Sequence, residues 1–236
     1  MNAGELAYLT CVAVGVVAGV GGARVLRGEA ATQAPSLAGR VRVAALVGGV
    51  LGADVFELPA DLLGWSAPSA RGLIPLGGRT VLGGLLGGWA AVELAKARGG
   101  YRGATGDRFA FPLALAMVFG RLGCTLRGCC EGALVSADSF FGRLGHALHG
   151  VPRLPAAAFE AWFHALAAVV LLALRARGLA RGAQLALYLA AYALVRFGLE
   201  TVRAHPPVLF GLTYYQGLAI ALFVLAGGTA WRRLRR

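Results

Sequence analysis

FAFPLALAMVFGRLGCTLRGCCEG (Phe109–Gly132) runs from an apolar stretch straight into two arginines, three cysteines and a glutamate set among glycines. Its first half reads as a helix entering lipid. Its second half places costly polar groups where that helix ends, and polar groups at the end of a membrane span usually serve a function. The rest of the chain decides whether a membrane is the right setting.

Of 236 residues, 58% are apolar and only 14% are charged, which places the chain in the membrane class. Seven apolar segments approach the roughly 20 helical residues needed to cross a hydrocarbon core. They lie near Leu6 to Val25, Val41 to Leu63, Leu73 to Leu94, Phe109 to Cys124, Ala156 to Leu174, Ala183 to Thr201 and Leu209 to Trp231. None alternates as barrel strands do, so each is expected to be a helix. The expected architecture is an all-α integral membrane protein with about seven transmembrane helices in one polytopic domain over residues 1–236. The first basic residue is Arg24, so no positive n-region precedes the first apolar run, and that run reads as a retained span rather than a cleaved signal.

The net charge of +12 is carried by short loops, with no basic patch interleaved with aromatics, which argues against a nucleic-acid partner. With seven spans, 15 of the 23 basic residues fall on the side that holds the C-terminus, together with only 3 of the 11 acidic residues. The positive-inside rule then puts the C-terminus in the cytoplasm and the N-terminus outside. The same topology sorts Asp54, Glu57, Asp61, Arg79, the Arg121–Glu131 stretch, Glu160, Arg196, Glu200 and Arg203 onto the outer half. Charges in that position are expected to face one another or a wet cavity.

Arg121 sits between Gly120 and Gly123, and Arg127 follows six residues later. A guanidinium fork matches phosphate oxygens, so a phospholipid headgroup is one reading; snorkelling to water is the other. Arg196, Glu200 and Arg203 share one helical face, either as a structural ion pair or as a phosphate site held by a carboxylate. Cys124, Cys129 and Cys130 are spaced C-x4-C-C, which fits no standard metal spacing; no metal and no cofactor is expected. A disulfide, an activated thiolate and simple packing remain open for them. The glycines of Gly77 to Trp89 read as close helix packing, and the tyrosines of Gly211 to Gly217 as interfacial anchors.

With these residues in view, the chain resembles the prolipoprotein diacylglyceryl transferase family, seven-span enzymes of the bacterial inner membrane. GRLGCTLRGCCEG (Gly120–Gly132) is similar to the family's GRxGNxxNGExxG, RFGLETVR (Arg196–Arg203) to its arginine-x3-glutamate-x2-arginine helix, and GLTYYQ (Gly211–Gln216) to its GLTxxQ opening of the last helix. VLGGLLGG (Val81–Gly88) and PAAAFEA (Pro155–Ala161) are weaker echoes, and the likeness spans residues 75 to 236. The departures are Cys124 and Arg127 at the two asparagines, Cys129 at the glutamate, and Leu82 at the histidine of FHGG, which marks a cysteine-bearing branch.

The resemblance implies transfer of a diacylglyceryl group from phosphatidylglycerol to the thiol of a lipobox cysteine in a prolipoprotein acceptor. It implies that Arg121 and Arg196 hold the headgroup and stabilise the leaving phosphate, that Glu200 orients Arg196, and that Gly132 shapes the pocket. Arg127, Arg203, Arg79 and Cys124 are the further substrate-binding candidates. The general base is open among Glu200, Glu131 and a cysteine thiolate. Two other functions compete: a non-catalytic lipid-binding or transport protein, favoured by Leu82, and a thiol-redox protein centred on the three cysteines.

Overall fold

A computed structural model describes residues 3–25, 35–65, 80–203 and 205–235. Among them, helices lie in each of the seven expected segments, the start of the third (73–79) falling outside the described residues: α1 (Ala3–Val25), α2 (Pro35–Val55) continued by the short α3 (Leu58–Leu62), α4 (Val81–Arg98), α5 (Asp107–Arg127), α7 (Ala156–Ala176), α8 (Gln184–Glu200) and α9 (Tyr214–Leu234). An additional helix, α6 (Phe140–His149), lies between α5 and α7, and a small hairpin, β1 (Pro207–Leu209) with β2 (Leu212–Thr213), precedes α9.

Five of the described helical stretches are long and apolar enough to cross a bilayer: Gly4–Gly22, Ala38–Leu62, Asp107–Arg127, Ala156–Ala176 and Tyr214–Leu234. The other two are helical but differ for physical reasons. α4 ends on Glu93, Lys96 and Arg98. α8 has 17 residues, about 26 Å at 1.5 Å per residue, and its last turns carry Arg196 and Glu200.

The chain forms two compact units. In the first (residues 1–27, 105–204 and 223–236), α1 packs on α5, α5 on α7 and α8, and α7 on α8. α6 starts at Ser139, whose hydroxyl accepts from the Gly142 amide at 2.9 Å, and it exposes Phe140, Leu144 and Leu148. The flanking segments close beneath it: the Gly132 amide donates to Leu154 at 2.8 Å, the Leu154 amide to Ala133 at 3.1 Å, and the Val135 amide to Pro152 at 2.9 Å.

In the second unit (28–104 and 205–222), α2 packs on α4 along a glycine seam. A Cβ on Gly52 would lie 2.5 Å from the Gly83 carbonyl oxygen, and one on Gly87 the same distance from that of Gly48, so any side chain there forces the helices apart. The expected packing role of the α4 glycines is what the fold shows. The GLTYYQ stretch is equally concrete. Phe210 and Gly211 both take positive φ to turn the hairpin, while Thr213 and Gln216 form a reciprocal cap on α9. The Thr213 amide donates to Gln216 Oε1 at 2.9 Å and the Gln216 amide to Thr213 Oγ1 at 3.2 Å. Tyr215, expected as an interfacial anchor, is instead buried and donates to Glu57 at 2.6 Å, and Tyr214 donates to the Phe56 carbonyl at 2.7 Å.

Candidate active site

Two arginines from distant parts of the sequence reach one depth because their helices start together. Asp107, in the first turn of α5, accepts from the Gln184 amide at 3.0 Å and from the Gly182 amide, so its carboxylate caps the start of α8. From that shared origin Arg121 lies 14 residues along α5 and Arg196 lies 12 along α8, about 21 and 18 Å at the helical rise. α7 runs the opposite way and brings Glu160, near its start, to the same level.

Glu160 is fully buried and is the hub of the site. Its Oε2 lies 2.8 Å from Arg121 Nη2 and accepts from the Tyr192 hydroxyl at 2.8 Å. Its Oε1 lies 2.5 Å from Arg203 Nη2 and 4.0 Å from Arg196 Nε. Arg196 also pairs with Glu200, one helical turn on, and Arg121 Nη2 donates to the Tyr192 hydroxyl at 3.3 Å. On α8 the residues Tyr188, Tyr192, Arg196 and Glu200 recur every fourth position and form one buried stripe. Opposite it, Glu160 meets Tyr192, and His164, one turn further along α7, places Nδ1 2.8 Å from the Tyr188 hydroxyl.

Three guanidiniums against two carboxylates leave this buried node one positive charge in excess. Burying so many ions is expensive unless partners satisfy them. Satisfaction is incomplete among the described residues: Arg121 Nε, Arg203 Nε and His164 Nε2 are buried without a hydrogen-bond partner. The node therefore offers buried donors and net positive charge, which is the chemistry that receives an anion.

The cysteines come together beside it. α5 ends in a Schellman turn: the Gly128 amide bonds the Thr125 carbonyl at 3.2 Å and the Cys129 amide bonds the Cys124 carbonyl at 3.1 Å, with Gly128 at φ 72°. That turn folds the chain back so that the Cys124, Cys129 and Cys130 sulfurs all lie within 4.8 Å of one another. All are free thiols and half-buried, and Cys130 holds a positive φ of 62°. Hydrogen bonding from Cys124, then from Cys129, holds the Cys130 thiol well below its ordinary value; burial opposes this, and Arg121 and Arg203 assist. Nearby, Glu131 lies 3.2 Å from His149 Nε2; burial raises its carboxyl above the ordinary value, with His149 and Arg153 pulling the other way.

Of the residues singled out by sequence, Arg121, Arg196, Glu200 and Arg203 meet in the node, and Cys124 lies in the adjoining thiol cluster. Arg127 points elsewhere, over the Tyr8 ring at 5.4 Å from its centroid. Gly132 is a close-approach position, where a Cβ would lie 2.9 Å from both Leu154 Cβ and the Val202 carbonyl oxygen. Arg79 lies outside the described residues. The hub itself, Glu160, and its partner Tyr192 were not singled out as site residues; the available signal was a lone carboxylate in the apolar stretch of α7. An apolar groove of about 300 Å³, lined by Cys11, Val14, Phe119 and Leu122 among others, runs between α1 and α5.

Residues 6–232 match the prolipoprotein diacylglyceryl transferase family. A relative from Clostridium perfringens (strain 13 / Type A), phosphatidylglycerol–prolipoprotein diacylglyceryl transferase 2, is 34% identical over 118 residues, covering 49% of this chain and 46% of the relative. The chain thus spans about half the length of the curated relative it matches. Because the family match runs through nearly every helix, including those that carry the Glu160 node, the chain belongs to the prolipoprotein diacylglyceryl transferase family.

Proposed function

We propose that this chain transfers the diacylglyceryl group of phosphatidylglycerol to the thiol of a lipobox cysteine in a prolipoprotein. In this reading it is a multi-pass enzyme of the bacterial cytoplasmic membrane with seven transmembrane helices, the N-terminus outside and the C-terminus cytoplasmic. The observation that carries the reading is the node at Glu160, with its excess positive charge and the unpartnered Nε donors of Arg121 and Arg203.

The lipid phosphate would sit against these guanidiniums, with Arg196 steered by Glu200. An acyl chain fits the apolar groove between α1 and α5. The acceptor sulfur attacks the terminal glyceryl carbon, the C–S bond forms, and the C–O bond breaks with its electron pair going to the phosphate oxygen. Negative charge grows on that oxygen in the transition state, where fixed guanidiniums lower the barrier most.

A second reading, phospholipid binding without transfer, is favoured by one observation: Leu82, at the position of the family histidine, is fully buried and apolar. One experiment separates the two. Purified protein in detergent is incubated with labelled phosphatidylglycerol and a lipobox peptide, and the peptide is weighed by mass spectrometry, with Arg196→Ala as control. A diacylglyceryl mass gain that disappears in the control supports transfer. Retained lipid with no gain in peptide mass supports binding alone.

A further inference from the structure

The thiol cluster is the largest feature that the anion node leaves unexplained. The C-x4-C-C spacing argued against a metal when read as a ligand motif, but the Schellman turn changes what that spacing means. In this turn the third residue before the cap and the second after it come into contact, and these are Cys124 and Cys129. Cys130 follows directly, and its left-handed backbone, uncomfortable for a residue with a Cβ, turns its sulfur to the same point.

Zinc binds thiolate sulfur at about 2.3 Å, which places tetrahedral neighbours about 3.8 Å apart. Three sulfurs already within 4.8 Å need only a small contraction. The metal-ligating side chains that converge here number three, not four, among the described residues. A zinc site with three protein ligands keeps an open position for water or substrate. Charge also agrees: three thiolates and one divalent ion carry one negative charge, and Arg121 and Arg203 lie close enough to favour negative charge at Cys130. Those arginines compensate the anionic complex and disfavour a bare, hydrated cation.

We infer that Cys124, Cys129 and Cys130 form a site for a thiophilic d10 metal ion, zinc(II), whose open fourth position takes the thiol of the acceptor peptide. This rests on the transfer reaction proposed above and supplies what that reaction lacks. With Leu82 at the histidine position, the acceptor thiol needs another route to its thiolate, and a coordinated thiol is deprotonated outright. On coordination the acceptor S–H proton goes to solvent. The zinc-held sulfur then uses an electron pair to form the C–S bond, the C–O bond breaks, and the pair leaves on glycerol phosphate. The product is a neutral thioether, a weaker ligand, which frees the site.

The test uses full-length protein purified without chelator. Elemental analysis is expected to find zinc equimolar with the chain in the wild type and in Cys11→Ser, and to find it lost in the Cys124→Ser, Cys129→Ser and Cys130→Ser variants that keep wild-type melting. Cobalt(II) exchanged into the site is expected to show a thiolate-to-metal charge-transfer band. That band strengthens with a lipobox peptide and stays unchanged with its serine analogue. Absence of zinc and of the cobalt band, or zinc retained when all three cysteines are replaced, overturns the inference. So does full transfer by chelator-stripped protein, an outcome that leaves the transferase reading standing. Coordination of the peptide thiol without transfer would instead uphold the metal site and remove the transfer reading.

Discussion

Where α2 meets α4, backbone touches backbone; where α5, α7 and α8 meet, the helices enclose buried tyrosine, arginine and glutamate side chains. Both contacts are made by apolar helices of 17 to 21 residues. In the first, glycines at 48, 52, 83 and 87 let backbone approach backbone, with only the Ala91 and Phe56 Cβ atoms and the Thr80 methyl beside them, so the seam is one of close packing. In the second, α7 offers Glu160 and His164 against the α8 stripe of Tyr188, Tyr192, Arg196 and Glu200. Small residues make a contact that only packs, whereas the polar contact is costly unless partners satisfy its buried ions.

Substitutions break this contrast in a predictable order. Glu160→Ala leaves three buried guanidiniums facing one carboxylate and is expected to cost about 3–5 kcal/mol, read as a lower melting temperature in detergent, together with complete loss of transfer. Unchanged melting would mean that Glu160 is not the hub. Gly87→Leu is expected to cost about 1–3 kcal/mol by overpacking the α2–α4 seam, and circular-dichroism melting checks it. Tyr192→Phe removes a hydrogen bond to Glu160 and one from Arg121, for about 1.5–3 kcal/mol, with the phosphatidylglycerol affinity shifting alongside stability. Arg127→Ala loses only the contact with Tyr8, about 0.5–1 kcal/mol, and is expected to leave transfer near wild type. A large loss of transfer there would move Arg127 into the site.

The helices were legible because length and hydropathy alone locate an apolar helix. α6 was not, since its ten residues interleave Phe140, Leu144 and Leu148 with Arg143, His146 and the helix-weakening Gly142 and Gly145. The arginines of the node were legible from charge placed in lipid-facing sequence and from the four-residue spacing of Arg196 and Glu200. Glu160 was expected among the charges of the outer half, but its place as the hub was not legible, because a single carboxylate at a helix start reveals its partners only when a second helix is laid against it. The thiols escaped for another reason: their spacing was compared with metal motifs, while the glycine at 128 already marked a helix-ending turn that juxtaposes positions 124 and 129. Tyr215 shows the reverse error, a tyrosine at a helix start that is buried on Glu57 rather than anchored in an interface.

The most direct test of the node is phosphorus NMR of phosphatidylglycerol titrated with protein in detergent, comparing wild type, Arg121→Gln and Arg203→Gln. A lipid phosphate held by Arg121 and Arg203 predicts a shifted, broadened resonance with wild type that reverts toward the free position in both variants, at unchanged protein folding. A resonance that never shifts, or that shifts equally in all three proteins, would place the phosphate somewhere other than the guanidiniums around Glu160.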